Sequence, residues 1–92
     1  MSKYVVDYAD TFYESASKID KGTLKIIKKW IEKHLVDVDF PNSPGKKLES
    51  NLAGYVRFRI GSYRLIAIVD DDKFVITNVF VAKREIVYKK FK

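Results

Sequence analysis

Apolar and polar positions alternate most sharply between Gly54 and Val69. There GYVRFRIGSYRLIAIV reads as two short strands joined by a two-residue turn at Gly61-Ser62. Glycine supplies the positive φ that the first position of so tight a turn needs. A two-residue turn also sets the register: Ile60 faces Tyr63, Arg59 faces Arg64, and Arg57 faces Ile66. Val56, Phe58, Ile60, Leu65, Ala67 and Val69 then share one face, the core face. Arg57, Arg59 and Arg64 project from the other, together with Ile66 and Ile68.

The remaining elements follow from the same kind of pattern. Lys3 to Tyr8 (KYVVDY) predicts a first strand, with Tyr4 and Val6 on one side and Val5 on the other. Thr11-x-x-Glu14 fits a capping box and predicts a short helix from about Phe12 to Lys18. Asp20-Lys21-Gly22 breaks it. A second helix is expected from about Thr23 to Leu35, where Leu24, Ile27, Ile31 and Leu35 form an apolar stripe bordered by Trp30. Pro41 to Gly45 is a loop by composition, and Lys46 to Ala53 is indistinct. After the hairpin, Asp70-Asp71-Asp72 turns the chain into a last strand, Phe74 to about Ala82. That strand is apolar on both sides, which suits a central or doubly covered position. Lys83 to Lys92 reads as a tail.

Strand, two helices, then three strands in meander make an α+β fold, β-α-α-β-β-β, within one domain over residues 1–92. The helical hairpin is expected to pack on one face of a small twisted antiparallel sheet. On the other face Ile66 and Ile68 predict an apolar surface for a partner protein.

Composition narrows the class. Hydrophobic residues make up 47% and charged residues 33% of the 92 positions, as in a globular protein. No apolar run suits a bilayer and no start resembles a signal peptide, so a cytoplasmic protein without a membrane partner is expected. Without cysteine there are no disulfides or thiolate metal sites. A net charge of +6 favours polyanionic partners: nucleic acid, a ribosome, or an acidic protein.

The charge has a focus. Arg59 and Arg64 directly opposite each other repel, which gives a scaffold nothing. An anion between them would explain the pair, as would a solvated polar face that happens to carry arginines. His34, among lysines near a helix end, reads as a surface histidine, and the three aspartates read as turn residues. No metal or other cofactor is called for.

Two segments resemble a known family. LESNLAGYVRFRIGSYR (Leu48 to Arg64) and VAKREIVY (Val81 to Tyr88) are similar to the paired motifs of the RelE/ParE superfamily of toxins from type II toxin–antitoxin systems. The resemblance is to the RelE-like branch. It implies a toxin that enters the ribosomal A site and cuts mRNA without metal, using the RNA's own 2′-hydroxyl, and that a cognate antitoxin neutralises. Carried over by motif position, the site residues are Arg57, Arg59, Arg64, Arg84 and Tyr88, with Lys83 adjacent. Lys83 stands where many relatives have histidine, and Arg57 and Arg59 stand where the best-known RelE site has lysines.

In-line attack needs a base for the 2′-hydroxyl, charge on the phosphorane, and a proton for the 5′-oxygen. Arginine suits the second role, presenting a planar fork, but with a pKa above ~12 it is a poor base. Lysine is more readily deprotonated beside like charges. Lys83 is therefore the candidate base if it sits among the arginines, while Tyr88 stacks on a base or positions the hydroxyl. The repelling pair predicts that Arg64→Ala leaves the fold as stable or slightly more stable. The alternatives are a ParE-like inhibitor of DNA gyrase and a non-catalytic RNA- or protein-binding module.

Overall fold

The computed structural model of the chain describes residues 4–36, 45–47, 54–70 and 72–90. In chain order its elements are β1 (Val5–Tyr8), α1 (Asp10–Ala16), α2 (Lys21–His34), β2 (Gly45–Lys47), β3 (Tyr55–Ile60), β4 (Tyr63–Asp70), β5 (Val75–Lys83) and α3 (Arg84–Lys90). They build a mixed α+β fold around one five-stranded sheet, ordered β1-β5-β4-β3-β2.

The hairpin is as the turn predicts. Gly61 has a φ of 60°, and across it Ile60 pairs with Tyr63, Arg59 with Arg64, and Arg57 with Ile66. The face parity follows from that register. Val56, Phe58, Ile60, Leu65 and Ala67 are buried in one cluster with Ile27, Ile31 and Leu35, so the helical hairpin covers this face. Trp30 closes its margin, its ring 5.7 Å from that of Phe58.

The sheet is not wholly antiparallel as expected. β1 runs parallel to β5, pairing Val5 with Val75 through to Tyr8 with Asn78. The meander of β3, β4 and β5 leaves one edge of β5 open, and β1 takes it. An alternating pattern fixes which face a strand buries but not the direction in which it pairs. β5 thereby becomes the inner strand its two-sided apolar pattern foretells. It begins at Val75 because Phe74, with a φ of 55°, is still in the turn. Asp70 Oδ1 accepts from the backbone N–H of Asp72 and Lys73, both at 3.1 Å, so this aspartate shapes the turn.

β1 is shorter than β5, and α1 covers the rest of the open edge. Thr11 Oγ1 donates to the Val79 carbonyl at 2.6 Å, and the Val81 N–H donates to Ser15 Oγ at 3.0 Å. These bonds replace the capping box expected at Thr11. α1 starts at Asp10 behind Ala9, which makes no side-chain cap, because Thr11 is committed to the sheet. Ser15 is buried and also donates to the Phe12 carbonyl. Ser15→Ala leaves the Val81 N–H unsatisfied, so a loss of about 1–3 kcal/mol is expected, measured by denaturant unfolding.

α2 begins two residues earlier than its apolar stripe indicates. Asp20 caps it, accepting from the Thr23 N–H at 3.0 Å and from Thr23 Oγ1 at 2.7 Å. Those bonds hold the Asp20 carboxyl below its ordinary pKa. Its contribution to stability is therefore complete above the unfolded carboxylate pKa and fades as pH falls through the lowered folded value. Asp20→Asn retains an acceptor, so its unfolding midpoint should lose this acid limb while staying close to wild type near neutrality.

The segment expected to be a tail is β5's last residue followed by a helix, α3. Its Val87 is buried against Ile66 and Ala82 on the sheet face opposite α1 and α2. Among the described residues no helix is long and apolar enough to cross a membrane. Of the loop expected from Pro41 to Gly45, residues 41–44 lie outside the described residues, as do the motif positions 48–53, while Gly45 is not loop but the first residue of β2.

Candidate anion site

The arginines share the sheet face on which α3 lies. In β3 and β4, Arg57, Arg59 and Arg64 stand on the same side as Ile66, and Arg64 also faces Ala82 across β5. α3 starts immediately after β5, and its first N–H, that of Arg84, donates to the Ser62 carbonyl at 3.0 Å. This bond pins the start of the helix to the hairpin turn. Val87 then anchors the helix over Ile66, and the adjacent Tyr88 meets the arginines. The Tyr88 ring has the Arg57 guanidinium carbon 5.3 Å from its centroid and that of Arg84 4.9 Å away. Cations at such distances are drawn to the ring face.

Arg64 sits differently. It is only 6% exposed, and its Nη1 donates to the carbonyls of Gly61 and Tyr63, both at 2.9 Å. Burial is the main cause that lowers its pKa, followed by the like charges of Arg59, Arg84 and Arg57. The Arg64 guanidinium is thus held by its own turn at the centre of a positive field. Repulsion from Arg59 is present, as the register implies, yet two carbonyl bonds and enclosure work against it. The expectation that the fold is indifferent to Arg64 is therefore set aside.

Tyr88 feels the same field with the opposite result. It is 40% exposed, and its phenol is lowered below the ordinary value. A hydrogen bond from Arg84 is the largest cause, then the charge of Arg84, with Arg57 and Arg64 adding to it. Positive charge favours the phenolate.

Lys83 does not join this group. It pairs with Tyr63, one position out of phase with Arg64 and Ala82, so its side chain belongs to the helical-hairpin face. There it lines a groove of about 320 Å³ with Ser15, Ile19, Tyr63, Val81 and Ile86. Its condition for serving as base, a place among Arg57, Arg59 and Arg64, is not met. His34 also lies on that side, with its ring 4.6 Å from Trp30.

The apolar partner surface is reduced as well. Ile66 is fully buried beneath α3, within the protein's own structure, while Ile68 remains 38% exposed. Two contributors had no signal in the residue pattern: the Ser62 carbonyl, and Val87 as the anchor of Tyr88. A seven-residue helix with one buried apolar position is too short to display a stripe.

Comparison with known proteins agrees with this architecture. The sequence profile of the ParE toxin of the type II toxin–antitoxin system parDE matches residues 6–88. The fold is similar to the toxin–antitoxin complex RelBE2 from Mycobacterium tuberculosis, with 27% identity and a TM-score of 0.71 over 90% of this chain and 100% of that one. It is similar to the RelB–RelE antitoxin–toxin complex from Methanococcus jannaschii, at 25% identity and TM-score 0.68, over 94% and 99% of the two chains. A doubly substituted RelE toxin from E. coli in the free state shares the fold at 24% identity and TM-score 0.68, over 96% and 93%. No curated protein sequence matches the chain.

Proposed function

Because the chain belongs to the ParE toxin family of type II toxin–antitoxin systems, within the RelE/ParE superfamily, we propose that this toxin acts as a ribosome-dependent mRNA endonuclease of the RelE type. It is the toxin of a toxin–antitoxin pair, and its partner is a cognate antitoxin. The observation that carries the nuclease reading is the Tyr88 ring held by Arg57 and Arg84 beside the enclosed Arg64. That group combines several fixed positive charges with one ionisable oxygen whose proton is loosened.

In this reading a scissile phosphate lies against the arginines. As the 2′-hydroxyl oxygen attacks phosphorus, negative charge builds on the non-bridging oxygens, and the guanidinium groups hold it. The Tyr88 phenol, in its phenolate form, takes the 2′-hydroxyl proton, the role first given to Lys83. The bond from phosphorus to the 5′-oxygen then breaks, and that oxygen takes a proton from solvent water, leaving a cyclic 2′,3′-phosphate and a 5′-hydroxyl. Arg59, exposed at the rim, steers the RNA backbone.

Mapping of mRNA 5′ ends after a pulse of expression is expected to show cuts within translated frames. Intact mRNA with arrested DNA supercoiling would instead establish the gyrase-directed reading. Tyr88 separates its own roles. Tyr88→Phe keeps the ring between the arginines but has no proton to exchange, so its cleavage rate should fall about 10²–10⁴-fold. The rise of wild-type rate with pH, set by a phenol lowered from its usual value, should vanish in this variant. A rate within a few-fold of wild type would reduce Tyr88 to stacking.

A further inference from the structure

β5 outruns the strand that covers its edge. β1 pairs with it only as far as Tyr8 with Asn78, whereas β5 continues to Lys83. α1 takes over part of that edge through Thr11 and Ser15, then ends at Ala16. α3 begins at Arg84, where β5 stops. Between the end of α1 and the first turn of α3, the last residues of β5 form the floor of the groove of about 320 Å³ that holds Lys83.

The interior and the charge of this groove differ in kind. Ile19, Tyr63, Phe80, Val81 and Ile86 make it apolar, and Lys18 and Lys83 are its two charged residues. Ile86 is 52% exposed, a large apolar side chain that α3 leaves wet. No carboxylate lines the groove, and among the described residues neither lysine makes an ion pair. The strand edge supplies a further donor. The Val81 N–H points outward to Ser15 Oγ, and the Arg84 N–H points back to the Ser62 carbonyl. The Lys83 N–H, two residues after Val81 in an extended strand, is therefore directed to the open edge.

Two ammonium groups and an N–H above an apolar slot select a ligand with one anionic end and an apolar body. We propose that this groove is a binding site for a small apolar carboxylate. Its two oxygens accept from Lys18 Nζ, Lys83 Nζ and the Lys83 N–H, and its hydrocarbon lies against Ile19, Val81 and Ile86. The volume is at the low end of small-molecule sites, roughly 300–1,000 Å³, and so takes one short chain and not a two-chain lipid. Bound there, the ligand touches Lys83 and Ile86 on either side of Arg84 and braces the turn that carries Arg84 and Tyr88. The site is separate from the arginine face and stands whatever target the toxin attacks.

The test titrates octanoate into the whole chain and follows backbone amide shifts by NMR. It compares wild type, Lys18→Gln/Lys83→Gln, Ile86→Ser and Arg57→Ala/Arg59→Ala. Lys18, Lys83 and Ile86 are exposed, so their variants should fold, and Lys18→Gln alone serves if the pair does not. Octanoate should shift the amides of Ser15, Val81 and Lys83. It should bind at least about tenfold more tightly than butanoate, since each methylene removed from water contributes up to about fourfold. Affinity should fall about tenfold in the lysine variant, the scale of a lost charge-assisted hydrogen bond. It should fall roughly threefold or more in Ile86→Ser and stay unchanged in the arginine variant. 1-Octanol, with the same chain and no charge, should bind about tenfold more weakly. Equal binding of octanoate and 1-octanol would overturn the proposal, as would binding that is lost in the arginine variant and kept in the lysine variant. So would self-association of the chain that Ile86→Ser abolishes, because the groove would then belong to a second copy.

Discussion

Arg84→Ala should lose about 10²–10³-fold in ribosome-dependent cleavage, the scale on which removal of one preorganised donor to a developing oxyanion is felt. Its unfolding free energy should stay within about 0.5 kcal/mol of wild type. Both expectations come from the position of Arg84 at the start of α3. Its structural bond to the Ser62 carbonyl is made by the backbone N–H, which alanine retains. Its guanidinium is exposed, lies 4.9 Å from the Tyr88 ring, and is the main reason that the Tyr88 phenol is lowered. The substitution thus removes a fork for phosphate and also raises the phenol back toward its ordinary value. The check is paired: cleavage rate against pH, and denaturant unfolding. Full activity would remove Arg84 from the site, and an unfolding loss that tracks the activity loss would make its role structural.

Arg64→Ala should also abolish cleavage, but it should weaken the fold. With the side chain gone, the Gly61 and Tyr63 carbonyls lose a charged donor, which costs about 1.5–3 kcal/mol. Relief of the cross-strand repulsion with Arg59 returns at most ~1 kcal/mol. The net is a destabilisation of roughly 0.5–3 kcal/mol, the reverse of what the register alone implies. Arg64→Lys keeps the charge and can reach one carbonyl, so it should be more stable than Arg64→Ala while remaining impaired, since it lacks the fork. Rates for all variants must be read at a temperature where each is folded. If Arg64→Ala folds and cuts at the wild-type rate, the enclosed guanidinium is a brace for the turn and not part of the anion site.

Much of this was legible before any tertiary contact was known. A two-residue turn with glycine first leaves one register, and a period of two then assigns every side chain of β3 and β4 to a face. The pairing of Arg59 with Arg64 and the core face through Phe58 and Leu65 are as that logic requires. The apolar stripe of α2 likewise named the residues that cover the sheet. In both cases the information is local, because neighbours in sequence set the periodicity.

What depended on distant pairing was not legible. Whether Lys83 joins Arg64 turns on a parity that only the pairing of β5 with β4 decides. That register includes an irregularity between Ile66 and Ala67, and it places Ala82, not Lys83, beside Arg64. α3 is too short to announce itself, yet its one buried valine covers Ile66 and carries Tyr88 to the arginines. The enclosure of Arg64 follows from the same contact geometry. A side chain's face is written in its neighbours, but its burial and its partners are set by elements that arrive from elsewhere in the chain. For this toxin the sequence therefore determined which residues could meet an anion. The packing of β5 and α3 decided that Arg57, Arg64, Arg84 and Tyr88 come together on one face of the sheet and that Lys83 lies on the other.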